Sequence, residues 1–134
     1  MLGQLESADR VLIADLEAGV GNLTRMAAGS LDLLLIVAEA TPKSIEVAQR
    51  AASVAAERHV APVRFIANKV RTDADRELLR DALGGDAFEI GEDDAVTAAD
   101  RAGVAVLDRD PSAAIVRQVA RLADTIMGTT EVPA

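Results

Sequence analysis

The stretch from Arg10 to Asn22 reads RVLIADLEAGVGN, and its parsing decides the fold. Residues 11–16 are mostly apolar, led by Val11, Leu12 and Ile13, which suits a strand inside a sheet. Asp15 stands near the carboxyl end of that run. Glu17, Ala18, Gly19, Val20 and Gly21 follow, and a helix is expected to begin near Asn22. An acidic residue at a strand's carboxyl end, followed by a glycine turn, is one way nucleotide hydrolases hold Mg²⁺ and sense a γ-phosphate. No Gly-x-x-x-x-Gly-Lys-Ser/Thr stretch occurs anywhere in the 134 residues.

Two further runs, 33–38 and 63–67, share the same lack of polar alternation. That pattern predicts parallel strands covered by helices on both faces. Between them, residues 43–58 carry Ile45, Val47, Ala48, Ala51, Ala52, Val54 and Ala55 as an apolar stripe behind Pro42, which predicts a helix. A second helix is expected over 73–83, with Thr72 or Asp73 as cap and Gly84-Gly85 as its stop. A short strand follows at 88–90, a helix at 93–102 ended by Gly103, a weak strand at 104–107, and a last helix from Pro111 to about Met127. The alternation predicts an α/β fold, a doubly wound and mostly parallel sheet of 4–5 strands with helices on both faces. One domain over 1–128 and a flexible tail over 129–134 are expected.

Composition narrows the function classes. A net charge of −8 excludes a general basic surface for nucleic acid or anionic membrane. The absence of cysteine excludes disulfides and thiolate metal sites, and the lone His59 excludes a histidine cluster. His59 itself is expected to cap a helix end, and Glu92, Asp93 and Asp94 fit a solvated helix start. Apolar runs are too short to span a bilayer, and the first residues do not read as a signal peptide, so a cytoplasmic location is expected.

The glycine turn itself has two parsings. As a phosphate loop, Gly19-Val20-Gly21-Asn22-Leu23-Thr24 lacks the lysine that neutralises phosphates and places Leu23 where a Mg²⁺-binding hydroxyl would stand. As a dinucleotide fingerprint, it has Thr24 in place of the third glycine. A phosphate loop leads into a helix of several turns, yet only a short stretch separates Asn22 from the next strand. The order of the later blocks, LDLLLIVAEATPKS at 31–44 and Ala67-Asn68-Lys69-Val70, favours a later switch segment.

On these blocks the chain resembles the MinD/ParA-type (deviant Walker A) P-loop ATPases, and within them the carbon monoxide dehydrogenase maturation ATPases. The resemblance runs from about residue 9 to 127. It implies a truncated P-loop NTPase-like fold whose family activity is ATP hydrolysis. It further implies that Asp15 and Glu17 form a switch II (Walker B-like) segment, with Asp15 holding Mg²⁺ through water. Gly19 would meet the γ-phosphate through its amide. Asn68, with Lys69 beside it, would contact the adenine edge. Gly91 and Asp93, in the Ile90-Gly91-Glu92-Asp93 loop, would form the second wall of the base pocket. Gly91 stands where the family has proline. The family's first strand, phosphate loop and first helix have no counterpart in this sequence, and neither do its nickel-binding cysteines.

The expected function is therefore a P-loop-less, degenerate ATPase-type domain acting as a binding or regulatory module, without hydrolysis by the chain alone. The alternative is the C-terminal part of a split or truncated ATPase whose phosphate loop lies on another polypeptide. No cofactor is expected for the isolated chain, and Mg-ATP is expected if a phosphate loop is supplied in trans. A protein partner or a homodimer is expected, without nucleic acid or membrane. The family places the phosphate-loop strand between the 11–16 strand and the 33–38 strand. Without it, direct pairing of those two is the first expectation and dimerisation the second.

Overall fold

The computed structural model describes residues 11–16 and 20–129. Its centre is a parallel three-stranded sheet in the order β1 (Leu34–Ala38), β2 (Val63–Val70), β3 (Phe88–Gly91). Around it lie α1 (Pro42–Glu57), α2 (Asp73–Leu83), α3 (Asp94–Ala102), α4 (Val106–Arg109) and α5 (Ala114–Thr129). A 3₁₀ turn, Leu23–Arg25, precedes β1.

The two faces of the sheet are filled unequally. Cα pairing puts Ile36 beside Phe65 and Ala38 beside Ala67, and these face the α1–α2 side. The α1 stripe of Ile45, Ala48, Ala51 and Ala55 is buried there, and its alanines let the helix lie close to the strands. Leu79 and Leu83 of α2 complete this larger core. The other face holds Ile66, Phe88 and Ile90, covered by Ile115, Leu122 and Ile126 of α5.

Five expectations need correction. Residues 11–16 form no strand. Val11, Leu12 and Ile13 are 66%, 56% and 87% exposed, and the segment pairs with nothing in the sheet. Direct closure onto β1 therefore does not occur, and the sheet has three strands among the described residues instead of 4–5. The physical reason lies on the α5 face. Leu35 and Val37 of β1 point there and are 38% and 56% exposed, because α5 covers only β2 and β3. A strand docked beside β1 would leave half its apolar side chains bare, so pairing would gain too little burial to order it. The same bare face corrects the reading of β1 as buried on both sides: its pattern alternates buried and exposed. Finally, the weak strand at 104–107 is helical in part, with Val106–Arg109 forming α4.

The element ends follow local chemistry. Thr41 caps α1 by accepting from the Ser44 amide at 3.3 Å, with Pro42 in the first turn. Thr72, not Asp73, caps α2 through a reciprocal box with Asp75. Thr72 Oγ1 accepts from the Asp75 amide at 3.1 Å, and Asp75 Oδ2 accepts from the Thr72 amide at 3.0 Å. The Arg71 amide also donates to Asp75, and these amides hold that carboxyl below its usual range. Gly103 ends α3 at φ 67°, a left-handed position that suits glycine. The last helix continues through Gly128 to Thr129.

Candidate functional site

In a parallel sheet all strands end on one rim, and that rim gathers the loops able to bind a ligand. Here it comprises the turn after β1, the bulged end of β2 and the loop after β3. The β1 turn is tight: the Glu39 amide donates to Ser44 Oγ at 2.9 Å and the Thr41 amide to the Glu39 carbonyl at 2.7 Å.

The end of β2 is irregular. Ala67 pairs with Glu89 but Val70 pairs with Gly91, so β2 carries one extra residue in that interval. The bulge is accommodated by Lys69, whose φ of 54° lies in the left-handed region that non-glycine residues seldom occupy. Lys69 turns toward β1, and its Nζ pairs with Glu39 Oε1 at 2.7 Å. Both side chains are about half exposed, so the pair contributes little to stability and chiefly links the ends of β1 and β2. Asn68 is half-buried, and its carboxamide has no hydrogen-bond partner among the described residues.

Beyond β2 an open cleft of about 600 Å³ lies between the ends of β2 and β3 and the start of α5, lined in part by Val70, Arg71, Glu92, Asp93 and Asp110. Arg71 grips Glu92 through two nitrogens, at 2.6 Å for Nη2 to Oε1 and 2.5 Å for Nε to Oε2. That carboxylate raises the already high pKa of the guanidinium. Asp93 is a structural clamp. Its Oδ1 accepts from the Ala95 amide at 2.9 Å and its Oδ2 from the Ile115 amide at 2.9 Å, which ties the starts of α3 and α5 together. Those amides hold the Asp93 carboxyl below the usual carboxylate range. Gly91 sits beside this clamp, its amide donating to Gln118 Oε1 at 3.1 Å. A proline there could not donate this bond.

The structure thus distributes the expected site residues. Asp93 lines the cleft, and Gly91 adjoins it. Asn68 and Lys69 lie on the same rim but are not among the cleft's lining residues, and Lys69 is directed to Glu39. Asp15 is exposed in the unpaired segment, without a hydrogen bond or ion pair among the described residues. Glu17 and Gly19 lie outside the described residues. Sequence reasoning missed Arg71, Glu39 and Gln118. Opposite charges just past adjacent strands could have signalled the Arg71–Glu92 pair, but nothing in the sequence marks Gln118.

The charge of the cleft disfavours a phosphate. Of the charged groups lining the cleft, four are acidic and the single cation, Arg71, is engaged by Glu92. A polyanion would meet repulsion there. The Asn68 carboxamide, without a partner among the described residues, can both donate and accept. No group of three or more His, Asp or Glu able to hold a metal occurs among the described residues. No helix of the described residues is long and apolar enough to cross a membrane.

No family model matches the chain. It is similar to an uncharacterized ATP-binding protein of Methanocaldococcus jannaschii, 40% identical over 75 residues, which cover 56% of this chain and 29% of that protein. It is also similar to the carbon monoxide dehydrogenase accessory protein CooC of Rhodospirillum rubrum, 30% identical over 105 residues, covering 75% of this chain and 39% of that protein. The chain thus spans less than half the length of the curated relatives it matches. These similarities support a P-loop ATPase-like relationship.

Proposed function

We propose that this chain is a degenerate MinD/ParA-like ATPase-type domain that acts as a binding or regulatory module and does not hydrolyse ATP by itself. One observation carries the reading. The Asn68 carboxamide on the bulge has no partner among the described residues and shares the rim with the Gly91–Asp93 loop, while no lysine-bearing phosphate loop occurs in the given sequence. Phosphoryl transfer depends on positioned cations and amides around the γ-phosphate. Among the described residues, neither Lys69, paired to Glu39, nor Arg71, paired to Glu92, is free for that work. The residues present therefore fit the base of a nucleotide and not its phosphates or Mg²⁺. Asp15 keeps a water-mediated Mg²⁺ role only in an assembly that brings phosphates to it.

The open edge of β1 favours a second reading. The chain would be the C-terminal part of a split or truncated ATPase of the carbon monoxide dehydrogenase maturation type, with its phosphate loop on another polypeptide. Mg-ATP would then bind in trans. Both readings place the protein in the cytoplasm, with a protein partner or a second copy and without nucleic acid.

Titration calorimetry separates them. The chain alone is expected to show no Mg-ATP binding at submillimolar concentration, and saturable binding by the chain alone would overturn the module reading. Binding that appears only with the product of an adjacent reading frame encoding a strand, a glycine-lysine loop and a helix would establish the split enzyme.

A further inference from the structure

The bulge in β2 changes which way the end of that strand faces. Ala67 and Val70 are both buried in the α1–α2 side core. Residues three apart on a regular strand point to opposite faces. The extra residue between the Ala67–Glu89 and Val70–Gly91 pairings turns Val70 back to the face that Ala67 occupies. Asn68 and Lys69 are thereby caught between two buried anchors. Alternation from Ala67 places Asn68 on the α5-side face, and Lys69 absorbs the shift in its left-handed backbone, at φ 54°.

A left-handed lysine is unfavourable on its own, so the conformation persists only where its surroundings hold it. Among the described residues, the ion pair of Lys69 Nζ with Glu39 Oε1 at 2.7 Å is the one polar side-chain contact that the bulge makes. Glu39 is itself a fixed post. Its amide donates to Ser44 Oγ at 2.9 Å, and its carbonyl accepts from the Thr41 amide at 2.7 Å. Thr41 caps α1 and Ser44 stands in its first turn, so the pair ties the bulge to the start of that helix. The Asn68 carboxamide has no such tie among the described residues. The direction in which it projects is set by the backbone of the bulge.

We propose that Lys69 and Glu39 are positioning residues for Asn68. Their pair holds the bulge in the conformation from which Asn68 presents its carboxamide to a heterocyclic base, so it governs ligand affinity more than stability. The inference rests on the reading of Asn68 as a base contact and adds the device that fixes that contact. A half-exposed pair shifts a two-state balance by about two- to fivefold. That is little against the stability of a whole domain, but enough to decide between two conformations of one bulge.

The sequence holds two asparagines, Asn22 and Asn68, so the side-chain NH₂ signal of Asn68 in a ¹⁵N-labelled chain is identified by its loss in Asn68→Asp. NMR relaxation dispersion is measured without ligand on the unmodified chain, on Glu39→Ala and on the charge-swapped Glu39→Lys/Lys69→Glu. Circular dichroism and the urea midpoint check the fold of each. Glu39→Ala is expected to add millisecond exchange at the amides of residues 68–70 and at the Asn68 NH₂, with the amides of β1 and β3 unchanged. The charge swap is expected to remove that exchange. Adenosine is then titrated at millimolar concentration and followed at the Asn68 NH₂. Glu39→Ala is expected to raise its Kd about two- to fivefold at a nearly unchanged urea midpoint, and the charge swap to restore it. Residues 68–70 free of exchange in Glu39→Ala would overturn the positioning role, as would an adenosine Kd that the variant leaves unaltered. Exchange spread over the whole sheet would also overturn it, since the pair would then be a general stabiliser. An Asn68 signal that ignores adenosine in the unmodified chain, with the bulge still loosened by Glu39→Ala, would instead refute the base reading and leave the latch standing.

Discussion

His59 shows how a residue can be placed correctly and its work misjudged. It does end α1, but through its backbone. Its φ is 53°, its amide donates to the Ala56 carbonyl at 3.1 Å, and the next amide, Val60, reaches back to Ala55 at 3.0 Å. This is a Schellman-type stop, sealed by the full burial of Val60 and Ala55 in the same core. A side chain in the left-handed region costs about 1 kcal/mol. His59→Gly is therefore expected to stabilise the protein by about 0.5–1 kcal/mol, read as a higher urea midpoint at unchanged m. Gly91 makes the opposite case, since its value lies in the amide. Gly91→Pro would leave Gln118 Oε1 without its donor, and a loss of about 1 kcal/mol is expected by the same urea measurement. If that variant kept full stability, the Gly91–Gln118 bond would have no role in holding α5.

At the scale of elements, the loops past the strands are held by carboxylates, and this sets the response to acid. Asp75 and Asp93 accept backbone amides, and Glu89 is gripped by Nε and Nη2 of Arg76 at 2.7 and 2.8 Å, joining α2 to β3. All three carboxyls lie below their ordinary values, Glu89 because of the Arg76 hydrogen bonds and charge. A carboxyl depressed in the folded state adds stability above its unfolded pKa, about 4, and that stability is lost as pH falls through the folded value. The melting temperature should thus stay level from neutral pH to about pH 5 and drop below about pH 4. Asp93→Asn should lower it at neutral pH, because one carbonyl oxygen cannot serve both the Ala95 and Ile115 amides, and should flatten the acid limb. An unchanged acid limb in that variant would remove Asp93 from the account. These elements were also the most legible in the sequence. Helices bounded by Pro42, Thr72 and Gly103 fell where capping chemistry put them, because caps are local. The 11–16 strand did not form, because strand formation depends on a partner and a covering helix that no local pattern encodes. The Asp93 clamp spans residues 93 to 115, and the Gln118 contact joins 91 to 118, so neither had a sequence signature.

The whole molecule divides unequally about its sheet. Thirteen buried residues form the α1–α2 side core, whereas Ile66, Ile90 and Leu122 alone are buried beneath α5, among the described residues. Few large side chains are wholly enclosed; Leu79 and Val60 are the largest, and the rest of the fully buried volume is built from alanine. Truncating Leu79 should therefore cost about 3 kcal/mol, a large share of the roughly 5–15 kcal/mol that holds a domain of this kind. Leu122→Ala should cost less, about 2 kcal/mol, since its site is 9% exposed and can relax toward solvent. The same asymmetry predicts the order in which the molecule opens. The α5 side buries less apolar surface, so its amides should exchange through a partial opening of lower free energy than those of α1 and β1. Hydrogen exchange under native conditions would show α5 as the faster unit, and Leu122→Ala should speed α5 alone while Leu79→Ala speeds all elements together. Equal protection of α5 and α1, moving together in both variants, would mean that β2 couples the two faces into one cooperative unit despite their unequal burial.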